Sequence, residues 1–135
     1  FSIMLADYAK QIVAVEWNRE SAEDAKENMK ANKVENVEVL ALQAEDALAS
    51  LISQNLKPHL IVMDPPREGL SGDVRSKLLR LAPDRMIYIS CDPATLARDL
   101  KAFTGLGRYR LERVIPLDMF PHTAHIECVC VLAKN

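Results

Sequence analysis

No run of about 18 apolar residues occurs anywhere in the 135-residue chain, so no membrane-crossing helix is expected. Positive charge is not in excess either: 17 Lys and Arg stand against 19 Asp and Glu, a net charge of −2. A lone RNA-binding module is usually basic. If this chain handles RNA, its basic residues are clustered, or other parts of a longer protein supply the affinity. Cysteine is scarce, with three residues at no metal-ligand spacing. That points to a reduced, cytoplasmic protein without a metal site. Repeats, low-complexity stretches, linkers and a signal-peptide pattern are all absent. The chain opens Phe1-Ser2-Ile3-Met4-Leu5, already inside an apolar segment and without an initiating Met, which suggests a fragment. What is present is an ordinary globular balance, 49% apolar and 27% charged, at a length that can bury a real core.

The chain alternates short apolar runs with helical segments. Residues 12–16, 37–42, 59–64, 85–90, 111–117 and 126–132 read as six strands. Near-continuous apolar runs of this length suit strands buried on both faces of a largely parallel sheet. Between them, Asn18 is placed to cap a helix running to about residue 33, and residues 44–56 read as a second helix. Ser71 can cap a third, with Val74, Leu78, Leu81 and Ala82 on one face. Asp92 followed by Pro93 gives a fourth its cap and first-turn proline. Leu96, Leu100 and Phe103 follow at helical spacing, and Gly105 and Gly107 end it. Strand–helix alternation implies an α/β three-layer sandwich. No helix separates the last two strands, so they are expected to pair antiparallel as a hairpin at the sheet's edge.

In such sheets ligands bind beyond the carboxyl ends of the strands. There the polar residues gather: Glu16 after the first strand, Gln43 after the second, Asp64-Pro65-Pro66-Arg67 after the third, and Ser90-Cys91-Asp92-Pro93 after the fourth. Glu16 is suited to accept hydrogen bonds from two ribose hydroxyls, or is a solvated strand end. The two prolines lock an extended turn that holds Asp64 at the edge. Arg67 suits a phosphate or a carboxylate, or is a surface arginine on a structural turn. Cys91 stands before a helix N-terminus, a place that favours a thiolate. Free cysteine is otherwise a small buried hydrophobe, as Cys128 and Cys130 are expected to be within the last apolar run. Glu127 opens that same run and is a candidate general base, or an edge-strand glutamate facing water.

Four segments taken together resemble the S-adenosylmethionine-dependent RNA uracil-5-methyltransferases, which modify uridines in ribosomal and transfer RNA. They are Val13-Ala14-Val15-Glu16, Asp64-Pro65-Pro66-Arg67-Glu68-Gly69, Ser90-Cys91-Asp92-Pro93-Ala94-Thr95, and Phe120-Pro121-His122-Thr123-Ala124-His125-Ile126-Glu127. They occur in the family's order, and the resemblance covers essentially the whole chain. It implies a Rossmann-like class I methyltransferase fold, mostly parallel with a C-terminal antiparallel hairpin, over residues 1–135 as one truncated catalytic domain. By the resemblance, Cys91 is the nucleophile toward carbon 6 of uracil, and Glu127 the base that removes the carbon-5 proton. Glu16 is the ribose-binding acid, and Asp64 lies at the cofactor's reacting end. Gln43 stands where the family usually has Asp or Asn near the adenine, and Asp92 replaces a common Asn.

The chemistry accounts for the residue types. Carbon 5 of uracil is a poor nucleophile until a thiolate adds at carbon 6, and a base must then take the carbon-5 proton before the thiol can leave. The uridine must also leave its stack. The family's glycine-rich strand–turn segment and N-terminal RNA-binding domains are expected to precede Phe1, so the first strand is missing, and residues 1–10 are the helix that follows it. The lost strand would lie between the strands ending at Glu16 and Asp64. Direct closure of those two strands, or self-association of chains, is therefore expected. Two other readings compete. A base amino-methyltransferase would share the Asp-Pro-Pro turn, but it has an aromatic residue where Arg67 stands. A non-catalytic Rossmann-like module that binds RNA or a partner gives no reason for pairing Cys91 with Glu127.

Overall fold

The computed structural model describes residues 1–119, 121–123 and 125–135. The chain divides into two compact units, Phe1–Ser50 and Leu51–Asn135.

The first unit opens with a short helix α1 (Ser2–Leu5) running into a 3-10 turn at Ala6–Tyr8, where one longer helix is expected from the sequence. Ala9 is extended and ends it. Asn36 fixes this segment by donating from Nδ2 to the carbonyls of Ala6 (2.8 Å) and Ala9 (2.7 Å). Strands β1 (Ile12–Val15) and β2 (Val37–Leu40) pair in parallel, with Val15 opposite Leu40. Helix α2 (Arg19–Ala31) joins them and is capped as expected, Asn18 Oδ1 accepting from the Ser21 amide at 3.1 Å. It stops two residues before Lys33, which takes φ +56° and closes the helix by bonds from its own amide to Lys30 and from Val34 to Met29. This is a Schellman ending on a residue other than glycine. Asn55 closes α3 (Ala44–Ser53) in the same way, which is why that helix falls short of residue 56.

In the second unit, β3 (Leu60–Met63) and β4 (Arg85–Ser90) are parallel neighbours, and β6 (Glu127–Lys134) runs antiparallel between β4 and β5 (Tyr109–Leu117). The sheet order is β3-β4-β6-β5. The expected terminal hairpin is therefore present, its last strand inserted next to β4. Helices α4 (Gly72–Leu81) and α5 (Pro93–Thr104) carry the expected caps: Ser71 accepts from the Val74 amide at 3.2 Å, and Asp92 from those of Ala94 (2.9 Å) and Thr95 (2.8 Å). Val74, Leu78, Leu81, Leu96 and Phe103 bury their side chains, with Met86, Tyr88, Cys130 and Leu132 of the central strands also in the core. Each large apolar side chain buried in this way contributes about 1.5–3 kcal/mol. Tyr109 begins β5 two residues earlier than its apolar run suggests. Its ring meets Phe103 edge-on at 6.5 Å, and its hydroxyl donates to the Pro83 carbonyl at 2.7 Å.

Two expectations are corrected. Burial on both faces fails for β5, which is exposed at every position after Tyr109, because it is an edge strand that carries Arg110, Glu112 and Arg113. Direct closure of the strand before Glu16 onto the strand before Asp64 is not the arrangement found: β1 belongs to a two-stranded sheet with β2, and β3 to the four-stranded sheet.

Candidate functional site

In the first unit, the parallel register brings the carboxyl ends of β1 and β2 to one edge, and Glu16 and Gln43 follow them there. Glu16 is half-buried, and its Oε1 accepts from the Asn18 amide at 2.8 Å, so the cap of α2 also orients this carboxylate. Gln43 is exposed at the start of α3, its carbonyl accepting from the Ala47 amide at 3.0 Å.

The second unit gathers three of the expected site residues on one sheet edge. Asp64 follows β3, and Cys91 follows β4, parallel to it. Glu127 opens β6, where Cys128 lies opposite Ser90, the last residue of β4; Cys91 follows Ser90 in the bend after the strand, so Cys91 and Glu127 stand at adjoining strand ends. Cys91 is a free cysteine, and both it and Glu127 are half-buried. Ser90 is buried and closes the turn around Cys91, its hydroxyl accepting from the Asp92 amide at 3.1 Å and donating to the Asp92 carbonyl at 3.0 Å. The Thr95 amide foremost, then the Thr95 hydroxyl, the Ala94 amide and the Arg67 guanidinium, outweigh the desolvation of Asp92 and hold its carboxyl below the usual range. Partial desolvation raises the carboxyl of Asp64, although the residue is exposed at the sheet edge. His122 and His125 are exposed, and His122 has φ +66°. Phe120 and Ala124 of the same expected motif lie outside the described residues. Cys128 and Cys130 are buried as expected, and burial raises the Cys130 thiol.

One group escaped the sequence reading. Asp99 is fully buried and accepts four kinds of donor: the Leu70 amide (2.8 Å), Arg75 Nη1 (2.6 Å), the Tyr88 hydroxyl (2.8 Å) and Arg98 Nε (2.9 Å). Burial alone would disfavour its charge. The bonds from Arg98, Leu70, Tyr88 and Arg75 prevail and hold the carboxyl below its usual range. Burial first, then the bond to Asp99, keep the Tyr88 phenol neutral well beyond its ordinary range. The signal was available: Asp99 falls on the stripe of Leu96, Leu100 and Phe103, a charge on an apolar helix face.

Among the described residues no group of three or more His, Cys, Asp or Glu is placed to hold a metal ion, and no helix is long and apolar enough to cross a membrane.

Comparison with known proteins places the chain in a family. The profile of the tRNA (uracil-5-)-methyltransferases matches residues 1–135. An RNA methyltransferase of Enterococcus faecalis, itself uncharacterized, is 42% identical over 132 residues, which cover 98% of this chain and 29% of that protein. Among solved structures, the Pyrococcus abyssi tRNA (uracil-54, C5)-methyltransferase in complex with S-adenosyl-L-homocysteine superposes with a TM-score of 0.82 at 31% identity. That match covers 98% of this chain and 31% of the other. An rRNA methylase from Streptococcus thermophilus shares the fold at a TM-score of 0.74 and 14% identity. The chain thus spans just under a third of the length of these two relatives.

Proposed function

Given that this chain belongs to the tRNA (uracil-5-)-methyltransferase family, we propose that residues 1–135 form a catalytic segment that transfers a methyl group from S-adenosylmethionine to carbon 5 of a uridine in rRNA or tRNA. The observation that carries the reading is the β4–β6 register, which sets Cys91 and Glu127 at adjoining strand ends with Asp64 on the same edge. A nucleophile and a base in one place are what carbon-5 methylation requires.

Each unit carries residues of its own that suit the cofactor. Glu16 commits one carboxylate oxygen to the Asn18 amide and keeps the other for a ribose hydroxyl. Gln43, exposed at the neighbouring strand end, is the residue for the adenine, and Asp64 for the reacting end. When bound, S-adenosylmethionine supplies an electrophilic methyl group. The Cys91 thiolate adds to carbon 6 of uracil, and the electron pair of the 5,6 double bond becomes available at carbon 5. After carbon 5 is methylated, the Glu127 carboxylate takes its proton. The pair left behind re-forms the double bond, and the Cys91 sulfur departs. Two matched variants in a protein of the relatives' length test this. Cys91→Ala should abolish both methylation and covalent RNA capture on a denaturing gel, and Glu127→Gln should accumulate the captured RNA. Full turnover by Cys91→Ala would sink the reading. The chain by itself is expected to be inactive and to self-associate.

A further inference from the structure

The segment after Asp64 is bound through its backbone at Arg67, Glu68 and Leu70 to side chains of helices α4 and α5. The Thr95 hydroxyl donates to the Arg67 carbonyl (2.9 Å), Arg98 Nη2 to that of Glu68 (2.8 Å), and Arg75 Nη1 to that of Leu70 (2.7 Å). The Leu70 amide donates to Asp99 Oδ2 (2.8 Å). Gly69, at φ +72°, lets the turn lie so close that a Cβ there would stand 2.6 Å from Asp99 Oδ2. In the first turn of α5, the same Thr95 shares the Asp92 cap directly after Cys91, its hydroxyl 3.2 Å from Asp92 Oδ1 and its amide 2.8 Å from the same oxygen. Beneath, Tyr88 of β4 donates to Asp99, so the strand that presents Cys91 is tied into the same group. Such density exceeds what holding a surface turn requires. Three side chains of one helix grip the segment that begins with Asp64, while the first turn of that helix fixes the residue after Cys91.

We infer that Asp99, with Thr95, is a positioning pair for the methyl-transfer reaction: it sets the segment carrying Asp64 and Arg67 at a fixed place relative to Cys91. The inference rests on the reading of Cys91 as nucleophile. Asp99 is shielded from solvent and touches no reacting atom. Its effect passes through the Leu70 amide and the arginines it holds. Asp99→Asn keeps the shape but turns an amide NH2 toward donors already aimed at it, so the latch loosens. Misplacement of reacting groups by about 1 Å costs up to roughly 100-fold in rate.

The test uses Asp99→Asn and Thr95→Val in a protein of the relatives' length. Measurements are kcat, KM for RNA and for S-adenosylmethionine, and amide exchange at Leu70. Asp99→Asn should lower kcat roughly 10- to 100-fold with both KM values little changed, and the Leu70 amide should exchange faster. Thr95→Val removes the Arg67 latch but leaves the Thr95 amide on Asp92, so it should lower kcat several-fold and leave the unfolding temperature unmoved. Unchanged kcat in Thr95→Val, or in folded Asp99→Asn, overturns the inference. If Asp99→Asn fails to fold, Thr95→Val decides alone. The Leu70 exchange rate is independent of turnover, so loss of the latch and failure of the Cys91 assignment are separate results.

Discussion

Gly69→Ala is the most exacting test of the packing described above, because Gly107 supplies an internal control. Both glycines lie in the left-handed region, at φ +72° and φ +65°. An alanine in that region costs about 1–2 kcal/mol. At Gly107 a Cβ meets nothing within 4 Å, so Gly107→Ala should cost only that conformational term. At Gly69 the new atom would meet Asp99 Oδ2 at 2.6 Å, Arg98 Nη2 at 2.7 Å and Thr95 Cβ at 3.2 Å. Arg98 is half-exposed at 49% and can swing its tip aside. Asp99 cannot, being fully buried and held by Arg75, Arg98, Tyr88 and the Leu70 amide. The segment must lift, and the Leu70 bond to a charged carboxylate is lost, at about 1.5–3 kcal/mol. Gly69→Ala should therefore cost about 2.5–5 kcal/mol in urea unfolding followed by circular dichroism, and Gly107→Ala about 1–2 kcal/mol. The Leu70 amide should exchange faster in the first variant alone. Equal losses from the two substitutions would refute the argument that the 67–70 segment is clamped against Asp99.

Three further outcomes follow from the same structure. Asp99 has a carboxyl held below its usual range in the folded chain, so its contribution is complete above about pH 4 and is lost as pH falls through the lower folded value. Unfolding free energy measured from neutral to strongly acid pH should fall steeply in the native chain and less steeply in Asp99→Asn; parallel curves would show that Asp99 is not the titrating group. Asp64, raised by partial desolvation, works with the opposite sign, losing its contribution as pH rises through its folded value. The chain alone should bind S-adenosylmethionine weakly, because its four glycines stand at 69, 72, 105 and 107 and none of them forms a glycine-rich cofactor-cradling turn. Low-micromolar affinity by calorimetry would contradict that.

Much of this was legible in the sequence where a local signal decides the outcome. Strand β4 has the bounds its apolar run gives, and Asn18, Ser71 and Asp92 cap the helices that their side chains announce. The helix ends were less legible, because Lys33 and Asn55 adopt the left-handed conformation that sequence alone assigns first to glycine. Tyr109 reads as a residue outside its strand until Phe103 and the Pro83 carbonyl are seen to hold it. The candidate edge was legible because polar residues interrupt apolar runs there. Asp99 was legible only as a charge on an apolar helix face; its partners were not, since apart from the adjacent Arg98 they lie 11 to 29 residues away. Separate sheets for β1 and β3 depend on which strands meet in space, and no local pattern encodes that.

In the proposed reaction the Cys91 sulfur is the nucleophile that bonds to carbon 6 of uracil. That bond is tested by incubating a protein of the relatives' length with 5-fluorouridine-containing RNA and S-adenosylmethionine, digesting with trypsin and nuclease, and locating the nucleotide by tandem mass spectrometry. Cleavage after Arg85 and Arg98 releases Cys91 in the peptide 86–98, whereas Cys128 and Cys130 share the peptide 114–134, so the two are separable by mass. The account predicts the fluorinated nucleotide on the 86–98 peptide at Cys91. An adduct on the 114–134 peptide, or methylated uridine formed with no adduct on either, would contradict it.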